Sequence, residues 1–323
     1  MRQATNGATG LAGSIQRFWQ RSYAPDYVGF LLVLLALIGQ QLLVEPFHQM
    51  FTLDNHAKQY PHAEIQRVSS SQNILYAGVG PLVFLILWAV LVRPGVHRVH
   101  VTILGLFISL FLTTLLTDIV KNAIGRPRPD LIARCKPRLG TPEHELVTIS
   151  VCTETDHHTL HDGWRSFPSG HSSWAFSGLG YLALFLAGQL HVLRPSADLA
   201  RVLIVLAPLV GAALIAMSRL ADYRHDVYDV TVGSLLGMSV AYLTYRRYYR
   251  PLRHPKCEVP YPSRAEYVSA MVGSKAKDLE RQLNEDFSLD DLSEDEAQAV
   301  PLTEVRPGRS GQEQEQEHTA GPP

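Results

Sequence analysis

Long apolar runs separated by polar links occupy the first three quarters of this chain. In a window of about 19 residues they fall at 27–44, 74–92, 101–120, 171–190, 202–217 and 227–244. Each is close to the roughly 20 residues a helix needs to cross a bilayer, and the first four are nearly free of charge. The pattern predicts an all-α polytopic membrane protein with six transmembrane helices and argues against a soluble globular fold. The run at 27–44 exceeds the ~7–15 apolar residues of a signal peptide. The stretch that follows it, QQLLVEPFHQ, offers no small-residue cleavage site, so a retained first span is expected.

Composition changes this picture only once it is divided. The 46% hydrophobic content and net charge of −1 average over unlike parts. Residues 1–25 read as a cytosolic N-terminal segment, 26–246 as the six-span domain and 247–323 as a cytosolic tail. From about 257 the chain turns polar, with the acidic cluster SLDDLSEDE at 288–296 and a GQEQEQEHTAGPP end. Such a segment has too little apolar surface to fold, and disorder is expected. Ser288 and Ser293, each followed by acidic residues, fit an acidophilic kinase; the simpler reading is a solvated tail.

Six spans put both ends on one side. Arg17 and Arg21 precede the first run, and Arg246, Arg247, Arg250, Arg253 and Lys256 follow the last, so the positive-inside rule places both termini in the cytosol. The connections 45–73, 121–170 and 218–226 then face the lumen or the exterior. The middle one runs against the charge rule, carrying Lys121, Arg126, Arg128, Arg134, Lys136 and Arg138, unless those cations serve another purpose. It also holds Cys135 and Cys152, for which an oxidising compartment makes a disulfide the alternative to two free thiols. Cys257 lies in the tail.

Three polar clusters mark the ends of apolar runs. KNAIGRPRPD at 121–130 sets Arg126 and Arg128 each before a proline. Lys121 alone would read as a snorkelling helix-end lysine, but guanidiniums on stiff backbone suit an anion site. FPSGHSSWAF at 167–176 opens a helix with Pro168 and the N-cap candidate Ser169. Ser169, Gly170 and His171 together offer a hydroxyl, open backbone N–H groups and a group that exchanges protons near neutral pH. SRLADYRHDVYD at 218–229 supplies Arg219, and His225 and Asp229 four residues apart, a helical spacing that lets carboxylate and imidazole meet. A carboxylate so placed orients the ring and prepares it as base or nucleophile. Under the six-span topology all three clusters emerge on the non-cytosolic face. His157, His158 and His161 resemble a metal-ligand cluster, but no Cys or carboxylate of zinc-site spacing accompanies them, and a solvated loop is expected there.

Fixed cations, a helix N-terminus and two histidines, one backed by Asp, are the parts of a phosphoryl-transfer site. No carboxylate cluster suited to Mg²⁺ is visible, so Arg and Lys would take the metal's part and a neutral imidazole would attack phosphorus. The clusters resemble, in order and in internal spacing, the motifs of the type 2 phosphatidic acid phosphatase superfamily, in particular its lipid phosphate phosphatases. Lys121 to Arg128-Pro129 is similar to its K-x6-RP, Pro168 to His171 to PSGH, and Ser218-Arg219 with His225 and Asp229 to SR-x5-H-x3-D. The resemblance spans about 27–245. It implies His225 as nucleophile, Asp229 as its orienting partner and His171 as general acid. It further implies a phosphate clamp of Lys121, Arg128, Arg219, Ser169 and Gly170, with Arg126 as a supporting cation.

The same resemblance implies a Mg²⁺-independent reaction with no cofactor and no bound metal, acting on a phospholipid in the bilayer such as phosphatidate, lysophosphatidate or diacylglycerol pyrophosphate. GRPRPDLIARC and SFPSGHSSWAFSGLG resemble the branch with the fungal diacylglycerol pyrophosphate phosphatases. No nucleic-acid partner is expected, and the sequence carries no signal for an oligomeric state or a host membrane. A lipid phosphotransferase on the same fold is the alternative enzyme. A transporter is disfavoured because its site would lie near the midplane on repeated, broken helices.

Overall fold

The computed structural model describes residues 22–195, 197–263 and 265–267, together with Ile15, Phe18 and Trp19. Arg17, Arg21, the acidic cluster at 288–296 and the two serines flagged for phosphorylation lie outside the described residues. What is described is helical. The helices are α1 (Ala24–Leu43), α2 (Ser70–Val92), α3 (Val96–Ile124), α4 (Leu131–Cys135), α5 (His157–Asp162), α6 (Gly170–Gln189), α7 (Leu199–Ala221) and α8 (Val227–Tyr248). Among the described residues only isolated β-bridges occur, and no strand.

Five of these helices, α1, α2, α3, α7 and α8, are long and apolar enough to cross a membrane. Their outward faces are apolar: Leu31, Leu35 and Ile38 on α1 and Leu203, Val210 and Leu214 on α7 are exposed. Stripes of this kind are covered by lipid, not water. The sixth expected span, α6, has the 20-residue length but lies below the other five in mean hydropathy. The reason is its position. It packs against α8, α7, α3 and α2, so neighbouring helices replace lipid around it, and close approach favours small residues. Ser172, Ser173, Ser177, Gly178 and Gly180 are all buried. Ser177 Oγ meets Ser109 Oγ at 2.9 Å, and Thr117 Oγ1 donates to Ser173 Oγ at 2.9 Å.

Gly237 of α8 shows how tight this packing is. A Cβ there would lie 2.2 Å from the Ser173 carbonyl oxygen, and backbone cannot step aside as a side chain can. One turn earlier, a Cβ at Gly233 would come within 2.6 Å of the Ser169 carbonyl oxygen. The two glycines thus press the start of α8 against the start of α6, where two of the three polar clusters lie.

Two connections on the same side as that junction fold on each other. Phe51 and Val147 pair as an antiparallel bridge, and both join Leu131, Cys135 and Trp164 in a small apolar core. Trp164 Nε1 donates to the Gln49 carbonyl. Cys135 and Cys152 are joined by a disulfide. The 121–170 segment is therefore a packed cap with its own core.

The expected tail boundary is corrected. The chain does not leave the fold at 247 or 257: Tyr249 bridges Pro260, Leu252 packs on the main core and Cys257 is fully buried. Tyr261 N–H donates to the Tyr248 carbonyl, and its own carbonyl lies 2.8 Å from His97 Nε2. A few apolar residues spaced among arginines and prolines are enough to seat this return, although they vanish in a window average.

Candidate active site

The three clusters reach one place because of which helix ends carry them. Lys121 is in the last turn of α3, Gly170 and His171 open α6, Arg219 is in the last turn of α7, and His225 immediately precedes α8. Together with Arg128 these residues line a single cavity of about 950 Å³. Ser169 and Asp229 are fully buried behind it.

Ser169 is the N-cap of α6, as its position in the sequence predicts. Its Oγ accepts from the Ser172 N–H and from Ser172 Oγ, and its own N–H donates to the Asp229 carbonyl at 2.9 Å. The cap thus ties α6 to α8 and leaves the first N–H groups of α6 at the cavity, where a helix N-terminus favours an anion. The lysine stem runs beside it, 3.6 Å from where a Gly170 Cβ would lie.

The His225–Asp229 pair is built differently from the expected helical one. Asp226, not His225, is the N-cap of α8, and it forms a capping box with Asp229. His225 therefore stands in the turn ahead of the helix, and the turn swings its ring back over Asp229. Nδ1 lies 3.5 Å from Asp229 Oδ2, close enough for ion pairing but outside hydrogen-bond geometry. The carboxylate is fixed by other groups: Ser166 Oγ and the Asp226 N–H donate to Oδ2, and Arg126 Nη1 donates to Oδ1 at 2.8 Å. Burial lowers the His225 pKa well below the ordinary imidazole value, with the positive charge of Arg128 adding to the effect and Asp229 opposing it. The shift favours the neutral ring, the form with a free lone pair.

Arg126 is accordingly reassigned. Sequence suggested a further cation for the anion; the guanidinium instead bridges Asp226 and Asp229 and does not line the main cavity. Arg128 does line it, anchored by its Nε to the Asp162 carbonyl and by Nη2 to Asp162 Oδ1, both at 2.8 Å. Burial alone would raise the Asp162 pKa, but Arg128 and Arg134 outweigh it and hold the carboxyl well below the usual carboxylate range. Arg219 is gripped by Ser218 Oγ, Gln66 Oε1 and Asp222 Oδ2. Lys121 Nζ donates to the Arg165 carbonyl at 2.7 Å. His171 also lines the cavity, with its buried Nε2 bonded to no protein group.

Several of these residues were not legible from sequence. Gln66 and Ser166 carry no motif, and Arg224, one residue before His225, stands in SRLADYRHDVYD at a position that no motif marks. The three histidines at 157, 158 and 161 stand on a short helix, α5, in place of the expected loop, with His157 and His158 exposed as expected. The helix is capped by Asp156, and all three line the cavity. His157 stacks on His161 with ring centroids 3.8 Å apart, and His161 Nδ1 shares a 3.0 Å hydrogen bond with His48 Nε2. The cap residue in DHHTLHD was the available signal. Among the described residues, the one group of three side chains spaced to hold a metal ion is His191, Cys257 and Glu258. It lies beyond the far end of α6, about 30 Å of helix away from this cavity.

The model of the PAP2 superfamily matches residues 102–253. Diacylglycerol pyrophosphate phosphatase 1 of Saccharomyces cerevisiae is 40% identical over 231 residues, covering 70% of this chain and 80% of the yeast protein. This chain belongs to the PAP2 superfamily. The probable diacylglycerol pyrophosphate phosphatase 1 of Schizosaccharomyces pombe is 35% identical over 255 residues, covering 76% of this chain and 88% of that protein. Lipid phosphate phosphatase 2 of Arabidopsis thaliana is 36% identical over 234 residues, 69% of this chain and 78% of the plant protein. No solved structure matches significantly. The PAP2 match encloses all three clusters. Gln66 and Arg67, which buttress Arg219 and Asp222 from the α1–α2 connection, lie outside it.

Proposed function

We propose that this chain is a lipid phosphate phosphatase that hydrolyses phosphatidate, lysophosphatidate or diacylglycerol pyrophosphate through a phosphohistidine on His225. The observation that carries this reading is the convergence of Lys121, Arg128, Arg219, His171 and His225 on one cavity, with Asp229 behind the His225 ring. The names of the yeast and plant relatives support it.

In the proposed reaction the phosphoryl oxygens are held by Lys121, Arg128, Arg219 and the Gly170 N–H, which stabilise the charge that builds up in the transition state. His225 Nδ1 faces Asp229, which leaves Nε2 to attack phosphorus in line. The P–O bond to the leaving group breaks, and His171 supplies the proton that oxygen needs. A water molecule, deprotonated by His171, then attacks the phosphohistidine and releases phosphate and the free imidazole. Asp229 stabilises the charged ring while it carries the phosphoryl group.

The setting follows the six-span reading, with α6 as the fourth span, residues 26–246 as the membrane-spanning part of the catalytic domain and 249–263 packed back on it, both termini in the cytosol and the cavity on the lumenal or extracellular face. The cavity-lining clusters come from the C-terminal ends of α3 and α7 and from the N-terminal ends of α6 and α8, the parity that antiparallel spans require.

Metal independence is part of the proposal. Two carboxylates line the cavity: Asp162 is already committed to Arg128 and Arg134, and Glu45 is a single exposed group, which leaves cations in the role that Mg²⁺ takes in other phosphoryl-transfer sites. Phosphate release from phosphatidate and diacylglycerol pyrophosphate in detergent micelles is expected to continue in excess EDTA at a rate within about twofold of the untreated enzyme. A strict Mg²⁺ requirement would overturn the metal-free reaction, and transfer of the phosphoryl group to an acceptor lipid in place of free phosphate would overturn the hydrolase.

A further inference from the structure

Four guanidiniums line the cavity, and three of them have a carboxylate. Arg128 pairs with Asp162, Arg165 with Asp118 and Arg219 with Asp222. Arg224 has none within ion-pair distance among the described residues, although it is more than nine-tenths buried. Its Nη2 donates to the Ala63 carbonyl at 2.9 Å, and its buried Nε bonds to no protein group. The carboxylates whose field reaches it are already engaged: Asp130 by Arg134 and His62, Asp162 by Arg128 and Arg134. Burial and the repulsion of Arg134 and Arg128 push Arg224 down to about 10, still charged at neutral pH. A buried cation without a counter-ion is costly and persists where an anion completes it.

Resting on the phosphatase reading above, we propose that Arg224 is a specificity residue that binds the second, non-reacting phosphate of a lipid head group carrying two linked phosphates. The reacting phosphoryl group is already surrounded in that reading by Lys121, Arg128, Arg219 and the Gly170 N–H. A cavity of about 950 Å³ has room well beyond one phosphoryl group. Arg224 is placed for the adjoining position. It sits in the turn directly before His225 and is held from the α1–α2 connection by Ala63, whereas the clamp groups come from α3, α6, α7 and the segment after α3. A linked second phosphate adds negative charge that a monophosphate lacks, and a buried, unneutralised guanidinium is the group that recognises it. Arg presents paired donors suited to phosphate, and its loss would be felt most by the substrate with more charge.

The test compares kcat/KM for diacylglycerol pyrophosphate and phosphatidate in identical micelles, for the full-length wild type, Arg224→Gln and Arg224→Lys. The diphosphate-to-monophosphate ratio is expected to fall at least about tenfold in Arg224→Gln and to recover in part in Arg224→Lys. Equal losses on both lipids would place Arg224 on the reacting phosphoryl group and overturn the assignment, as would an unchanged ratio. If the Gln variant does not fold, inhibition by inorganic diphosphate and by phosphate in wild type and Arg224→Lys reads the same selectivity. There the preference for diphosphate must weaken; an unaltered preference overturns the proposal. A wild type that cleaves neither lipid would instead remove the phosphatase reading itself.

Discussion

His225→Ala abolishes phosphate release: kcat falls by at least ~10⁴-fold while the protein still folds. Among the described residues that line the cavity, His225 is the one imidazole with a carboxylate behind it, and in the proposed reaction nothing else carries the phosphoryl group between lipid and water. The fold is expected to survive because the turn at 225 is not held by the ring. Asp226 caps α8 and forms its box with Asp229, and His225 Nδ1 makes no hydrogen bond that would be orphaned. The checks are phosphate release in micelles and the thermal melting temperature in detergent. A variant within tenfold of the wild-type rate would remove His225 as nucleophile.

Asp229→Asn has the second-largest expected effect and acts through position and charge. The neutral amide cannot stabilise the charged ring, and kcat is expected to fall ~10³–10⁴-fold, as seen when such a carboxylate is neutralised elsewhere. This site adds a second cost. Three donors, from Ser166, the Asp226 N–H and Arg126, converge on the two carboxylate oxygens, and an amide can accept at only one of its two ends. One donor must face an NH₂ group, which destabilises the variant by about 1–3 kcal/mol. A loss confined to kcat with a modest drop in melting temperature fits the account. A rise in KM with kcat intact would place Asp229 in binding instead.

The helices and the three clusters were legible because each has a local signature: apolar length, a proline followed by a cap residue, cations at helix ends. α6 shows where such signatures fail. Its position at the centre of the bundle demanded glycine and serine, which lowered its hydropathy below that of helices exposed to lipid. The spacing of His225 and Asp229 anticipated their contact but not its cause, since Asp226 takes the cap and the turn rather than a helical face brings the ring over the carboxylate. Arg126 was misjudged because ion pairing is a matter of three-dimensional neighbours; Asp226 and Asp229 lie a hundred residues away in sequence. The same limit hid Arg224, whose lack of a carboxylate partner shows only once the other arginines have been matched to theirs. At 249–263, anchors as sparse as Leu252 and Cys257 were outweighed by the arginines around them.

The central claim is that phosphate passes through His225, and the stereochemical course at phosphorus tests it most directly. With a substrate whose transferred phosphoryl group is made chiral by isotopic and sulfur labelling, two successive in-line displacements give released thiophosphate of retained configuration. Retention is the result predicted here; inversion, the outcome of a single attack by water, would contradict it.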